Sequence, residues 1–130
     1  MAEDSLVSVP SPISARDTLD RLVAALAARK LTVFARIDHA AGAASVGLRL
    51  PPTEVVVFGN PKGGTALMQD RQSAGIDLPL KALAYEDADG TVWLCYNDPA
   101  WLAARHDIAA PEVTKTLAAA LAGVIGQATS

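Results

Sequence analysis

Cysteine is almost missing from this 130-residue chain: Cys95 stands alone. A single thiol excludes an internal disulfide and any cysteine-only metal cage within one chain. Positive charge is also scarce. Eleven Lys and Arg stand against fourteen Asp and Glu, a net charge of −3, with a pI near 5.2. That balance argues against a surface built to hold phosphate backbones, so no nucleic-acid partner is expected. It argues equally against a polybasic membrane anchor. No segment approaches the roughly 20 apolar residues needed to span a bilayer. The first residues, Met1-Ala2-Glu3-Asp4, carry acid where a signal peptide needs Lys or Arg. These absences predict a cytoplasmic protein. The Ala-rich, Arg-over-Lys usage points to a bacterium-like source with a GC-rich genome. The two histidines, His39 and His106, lack the His-x3-His spacing of a helical metal site. No metal and no cofactor is expected.

What is present fits one compact domain over residues 1–130. Hydrophobic residues make up 51%, but 26 residues are Ala, so a fifth of the chain contributes little apolar area. Residues 5–9 alternate polar and apolar and predict a short strand closed by Pro10 and Pro12. Ser14-Ala15-Arg16-Asp17 is a capping-box variant, and Leu19, Leu22, Val23 and Leu26 make one helical stripe, predicting a helix over 15–29. Leu31, Val33, Ala35 and Ile37 then alternate with Thr32, Phe34, Arg36 and Asp38, predicting a strand with one buried face. The Ala-rich stretch 40–46 suits one or two helical turns.

Val55-Val56-Val57-Phe58 shows no alternation and predicts a central strand covered on both faces. Gly59-Asn60-Pro61 stops it: Asn is a good helix cap and Pro a good first helical residue, so a helix follows over 61–73. Lys81–Glu86 and Thr91–Tyr96 are strands joined through Asp89-Gly90, a hairpin signal. Asn97-Asp98-Pro99 repeats the strand, cap, Pro, helix device. Pro111 opens a last helix with Val113, Leu117, Leu121, Val124 and Ile125 as its stripe. The expected fold class is α+β: a two-layer α/β sandwich with one largely antiparallel or mixed sheet and helices mainly on one face.

Several pieces together resemble an uncharacterised prokaryotic family, domain of unknown function 302. They are Ile37-Asp38-His39-Ala40, the run from Pro52 to Lys62, Gly64-Thr65, Leu67-Met68, Leu78-Pro79-Leu80, Asp89-Gly90 and Tyr96-Asn97-Asp98-Pro99. The resemblance covers nearly the whole chain. It implies a two-layer sandwich and a homodimer. It implies no established activity, substrate or cofactor.

The candidate chemistry lies where strands end. The Gly59–Thr65 loop offers backbone N–H groups, Lys62 and the Thr65 hydroxyl to a phosphate or carboxylate, or it is plain helix punctuation. His39, the catalytic candidate, follows a strand end and is either an acid–base or ligand residue or a first-turn residue behind an Asp38 cap. Tyr96 and Asn97 either add hydrogen bonds to a polar ligand or merely precede the Asp98 cap. Cys95, on an apolar strand, reads as an inert small hydrophobe. The leading expectation is a small polar or anionic ligand held at these loops, with His39, Asn60, Lys62 and Asn97 around one concavity and Thr65 and Tyr96 beside them. The alternatives are a small enzyme using His39 as acid–base, and a structural or protein-interaction module with no ligand.

Overall fold

The computed structural model describes residues 5–130. Five strands form one fully antiparallel sheet: β1 (Leu6–Ser11), β2 (Thr32–Asp38), β3 (Thr53–Gly59), β4 (Leu80–Glu86) and β5 (Val92–Asn97). Their spatial order is β1-β5-β4-β3-β2. Five α-helices intervene: α1 (Ala15–Ala28), α2 (His39–Ser45), α3 (Pro61–Asp70), α4 (Pro99–His106) and α5 (Pro111–Ala128). A short 3-10 helix, Gln72–Ile76, follows α3. The expected α+β sandwich is what forms.

The core lies between the sheet and the α1/α5 pair. Leu19, Leu22 and Leu26 of α1 and Leu121, Val124 and Ile125 of α5 meet Val56, Phe58, Ala82, Ala84 and Leu94 from the sheet. The alanines at 82 and 84 let the helices approach closely. Thr18 is the polar member, fully buried and satisfied: its hydroxyl donates to the Ser14 carbonyl at 2.7 Å and bonds the Ser11 hydroxyl at 2.6 Å.

Each predicted cap forms. Ser14 accepts from the Asp17 N–H, Asp38 from the Ala41 N–H, Asn60 from the Lys62 N–H and Asp98 from the Ala100 N–H. Gly90 closes the β4–β5 turn at φ +82, where a side chain would be strained.

Two local expectations need correction. Pro10 does not close the first strand; it lies inside β1, opposite Trp93. β1 is an edge strand, the place in a sheet where Pro is tolerated. The alternation in β2 does not mark a buried face either. Its register slips between Val33 and Ala35, and Phe34 and Ile37 stay exposed because β2 is the other edge. What β2 turns toward α1 is Arg36. Its guanidinium donates to Glu54 of β3 and to Asp20 of α1, both at 2.7 Å.

Candidate functional site

The antiparallel register decides which strand ends can share a site. Thr32 pairs with Gly59, while Asp38 pairs with Glu54. The C-terminal end of β2 and the C-terminal end of β3 therefore sit at opposite ends of the sheet. His39 follows Asp38, and Asn60 follows Gly59, so a full strand length separates them. The expected single concavity containing His39 does not form. Asp38 is an N-cap, and His39 is an exposed first-turn residue of α2.

At the Asn60 end the structure holds a cleft of about 670 Å³. Its floor is Phe58 and Leu80 from the sheet, with Leu31 entering from before β2. One wall is α3, through Gly63, Gly64, Leu67 and Met68. The other is α5, through Val113, Leu117 and Ala120. Leu78 and Pro79 close the end. This size suits one small organic ligand.

Local sequence explains why the cleft stays open. Asn60 caps α3 and Pro61 starts it. Gly63 and Gly64 follow in the first turn and weaken it as a helix start. A Cβ at Gly63 would meet no atom within 4 Å, and one at Gly64 only Leu78 at 4.0 Å. Close packing does not require these glycines; their lack of side chains leaves space at the mouth.

The lining is mainly apolar. Its polar side chains, Asn60, Thr65, Glu112 and Thr116, are exposed at the mouth. Lys62 is exposed on α3 and does not line the cleft. The ionisable group that does is Glu112, a carboxylate. This differs from the expectation of an anion-facing loop: the Lys62 N–H, a donor an anion would need, already donates to the Asn60 side-chain oxygen at 3.0 Å.

Tyr96 and Asn97 are at the same sheet end but on β5, two strands over from β3 with β4 between. Ala82 pairs with Tyr96. Both residues border a separate shallow recess with Asp77, Lys81 and Leu102. Tyr96 is half-buried against the core. Burial, and secondly the Asp98 carboxylate, push its phenol pKa up, so it stays protonated at neutral pH. Thus Asn60 and Thr65 share the cleft, Tyr96 and Asn97 share the recess, and Lys62 and His39 belong to neither.

Sequence reasoning missed Glu112, Thr116 and the α5 wall. The stripe Val113–Leu117 was visible as apolar helix, but its partner surface lies some fifty residues earlier in the chain. Cys95 is buried, and burial pushes its thiol pKa up, which keeps it protonated and unreactive. Among the described residues no group of three or more His, Cys, Asp or Glu could hold a metal ion. Among them, too, no helix is long and apolar enough to cross a membrane.

Comparison with known proteins adds four findings. The chain is 52% identical over 106 residues to a protein named fluoride-specific ion channel FluC 1 from Brucella suis biovar 1 (strain 1330), a match covering 82% of this chain and 42% of that protein. The same identity and length hold for FluC 1 of Brucella abortus biovar 1 (strain 9-941), where the match covers 39% of the protein. The chain thus spans about two fifths of the curated relatives it matches. A crystal structure of an uncharacterized conserved DUF302 protein from Bacillus stearothermophilus shares the fold, with a TM-score of 0.83 at 19% identity, covering 95% of this chain and 97% of that one. The family model described as domain of unknown function DUF302 matches residues 7–124. The chain belongs to that family.

Proposed function

We propose that this chain is a ligand-binding domain whose ligand is a small apolar or amphipathic molecule with an uncharged polar head. The observation that carries this reading is the 670 Å³ cleft with its apolar walls. Thr65 and Thr116 at the mouth suit a hydroxyl or amide head, and Glu112 disfavours an anion there. Burying such a ligand against Phe58, Leu117 and Met68 gains roughly 25 cal/mol per Å² of apolar surface.

Titration with Nile red, a neutral apolar fluorophore, tests the reading. The wild type should give saturable enhancement at one site per chain, displaced by 1-octanol and not by inorganic phosphate. Ala120→Phe, which fills the cleft from α5, should abolish the enhancement and leave the melting temperature within a few degrees. No saturable enhancement in the wild type, or equal enhancement in Ala120→Phe, contradicts the reading.

A second reading rests on the 52% identity to proteins named as fluoride-specific ion channels. It makes the domain a partner or regulator of fluoride export in a bacterial cytoplasm. Deleting the chain from its host should then raise sensitivity to sodium fluoride; unchanged growth across a fluoride series removes that role.

We further propose a homodimer. Ile37, Val46, Leu48 and Leu50 run from the β2 edge through the loop after α2 and are exposed, Val46 to 70% and Leu48 to 65%. A second copy would cover such a face.

A further inference from the structure

Away from the cleft, His106 bridges two side chains on the 3-10 segment. The Ser73 hydroxyl lies 2.8 Å from His106 Nδ1, and Asp77 Oδ2 lies 2.5 Å from His106 Nε2. His106 is only 8% exposed. Asp77 is nearly as enclosed, whereas Ser73 is exposed. Ser73 lies within the 3-10 helix, Asp77 is the residue just after it, and His106 ends α4.

This arrangement fixes the proton positions. A carboxylate can only accept, so Nε2 carries the hydrogen that Asp77 receives. Nδ1 is then the free lone pair, and Ser73 donates its O–H to it. Arg105 Nη1 contacts both oxygens of Asp77, at 3.1 and 3.2 Å, and its guanidinium lies 5.5 Å from the Trp101 ring centroid. Those contacts hold the carboxylate in place.

We propose that Ser73, His106 and Asp77 form an acyl-transfer centre that cleaves small, reactive carboxylic esters. Ser73 Oγ attacks the ester carbonyl carbon while its proton passes to His106 Nδ1. The bond from carbon to the leaving oxygen breaks, and His106 returns the proton to that oxygen. Water then attacks the acyl-serine, gives a proton to Nδ1, and releases the acid as Ser73 regains its hydrogen. Asp77 stabilises the imidazolium formed in each half. Ser73 borders neither the cleft nor the recess. No chain-length pocket therefore selects the acyl group, and the substrate class is set by reactivity.

The test uses the intact chain and an alkyl fluorophosphonate. In this reaction the Oγ–P bond forms, the P–F bond breaks, fluoride leaves, and the serine proton goes through His106 to solvent. Peptide mapping should place one label on Ser73. Ser73→Ala should remove it, and His106→Ala and Asp77→Asn should each slow labelling about 100-fold or more. Turnover of 4-nitrophenyl acetate should fall in parallel. Melting curves establish that each variant folds. If His106→Ala does not fold, the wild type and Asp77→Asn decide alone. A wild type left unlabelled at Ser73 overturns the proposal. So does Ser73 labelling at wild-type rate in either folded variant, because Ser73, His106 and Asp77 would then be only a latch between α4 and the 3-10 segment.

Discussion

Arg36 joins three elements through one guanidinium. It sits on β2, donates to Glu54 on β3 and Asp20 on α1, and reaches the Arg16 carbonyl at 3.3 Å. The Glu54 hydrogen bond, foremost, holds the guanidinium pKa above its ordinary value; burial opposes this and Asp20 adds to it. Glu54 is itself buried. Removing Arg36 strands that carboxylate, so Arg36→Ala should cost about 2–3 kcal/mol in denaturant unfolding, well above a surface salt bridge. Glu54→Gln in the Arg36→Ala background should recover part of the loss. A loss below 0.5 kcal/mol would show the cluster to be ornamental. None of this was legible from one sequence: Arg36 looked like the polar face of an alternating strand. The cap residues were legible, because each carries its own hydrogen-bonding signature within four residues.

At the scale of elements, α3 separates structure from function in its first turn. Asn60 satisfies the Lys62 N–H, so Asn60→Ala should cost roughly 0.5–2 kcal/mol. Lys62 is exposed and outside the cleft. Lys62→Ala should leave both the melting temperature and Nile red binding unchanged; weakened dye binding in Lys62→Ala would put a charge at the site after all. The β4–β5 hairpin depends on Asp87. Its carboxylate accepts from Trp93 Nε1 at 2.8 Å and from the Thr91 and Asp89 N–H groups at 2.9 Å. These bonds, the Trp93 one first, lower its pKa. A lowered folded pKa means the contribution is complete above the ordinary value of about 3.9 and fades as pH falls through the folded value. Asp87→Asn should therefore flatten the pH dependence of melting below pH 4; an unchanged acid slope contradicts this account of the turn. Elements were well foreshadowed where breakers bound them, as in Gly59-Asn60-Pro61 and Asp98-Pro99. They were misjudged at the sheet edges, since period two gives the alternation of a strand and not its neighbours.

At the scale of the molecule, strand order made the difference. Local pattern placed His39 and Asn60 alike at strand ends, but β2 and β3 run antiparallel, and that alone sends the two apart. The cleft is a long-range object: Gly63, Leu78 and Leu117 meet only once α5 returns across the sheet, and no local spacing encodes that. The exposed run from Ile37 to Leu50 predicts a dimer mass in light scattering at micromolar concentration. Leu48→Asp should shift it to the monomer; a wild-type monomer mass contradicts the dimer. The cleft itself is tested most directly by mapping ligand contacts on the uniformly nitrogen-15-labelled chain. Titration with 1-octanol should shift the backbone amide signals of Gly59, Gly64, Thr65 and Leu117 together and saturably, while those of His39 and Asn97 stay in place. Uniform small shifts, or shifts clustered at His39, would contradict a ligand site between α3 and α5.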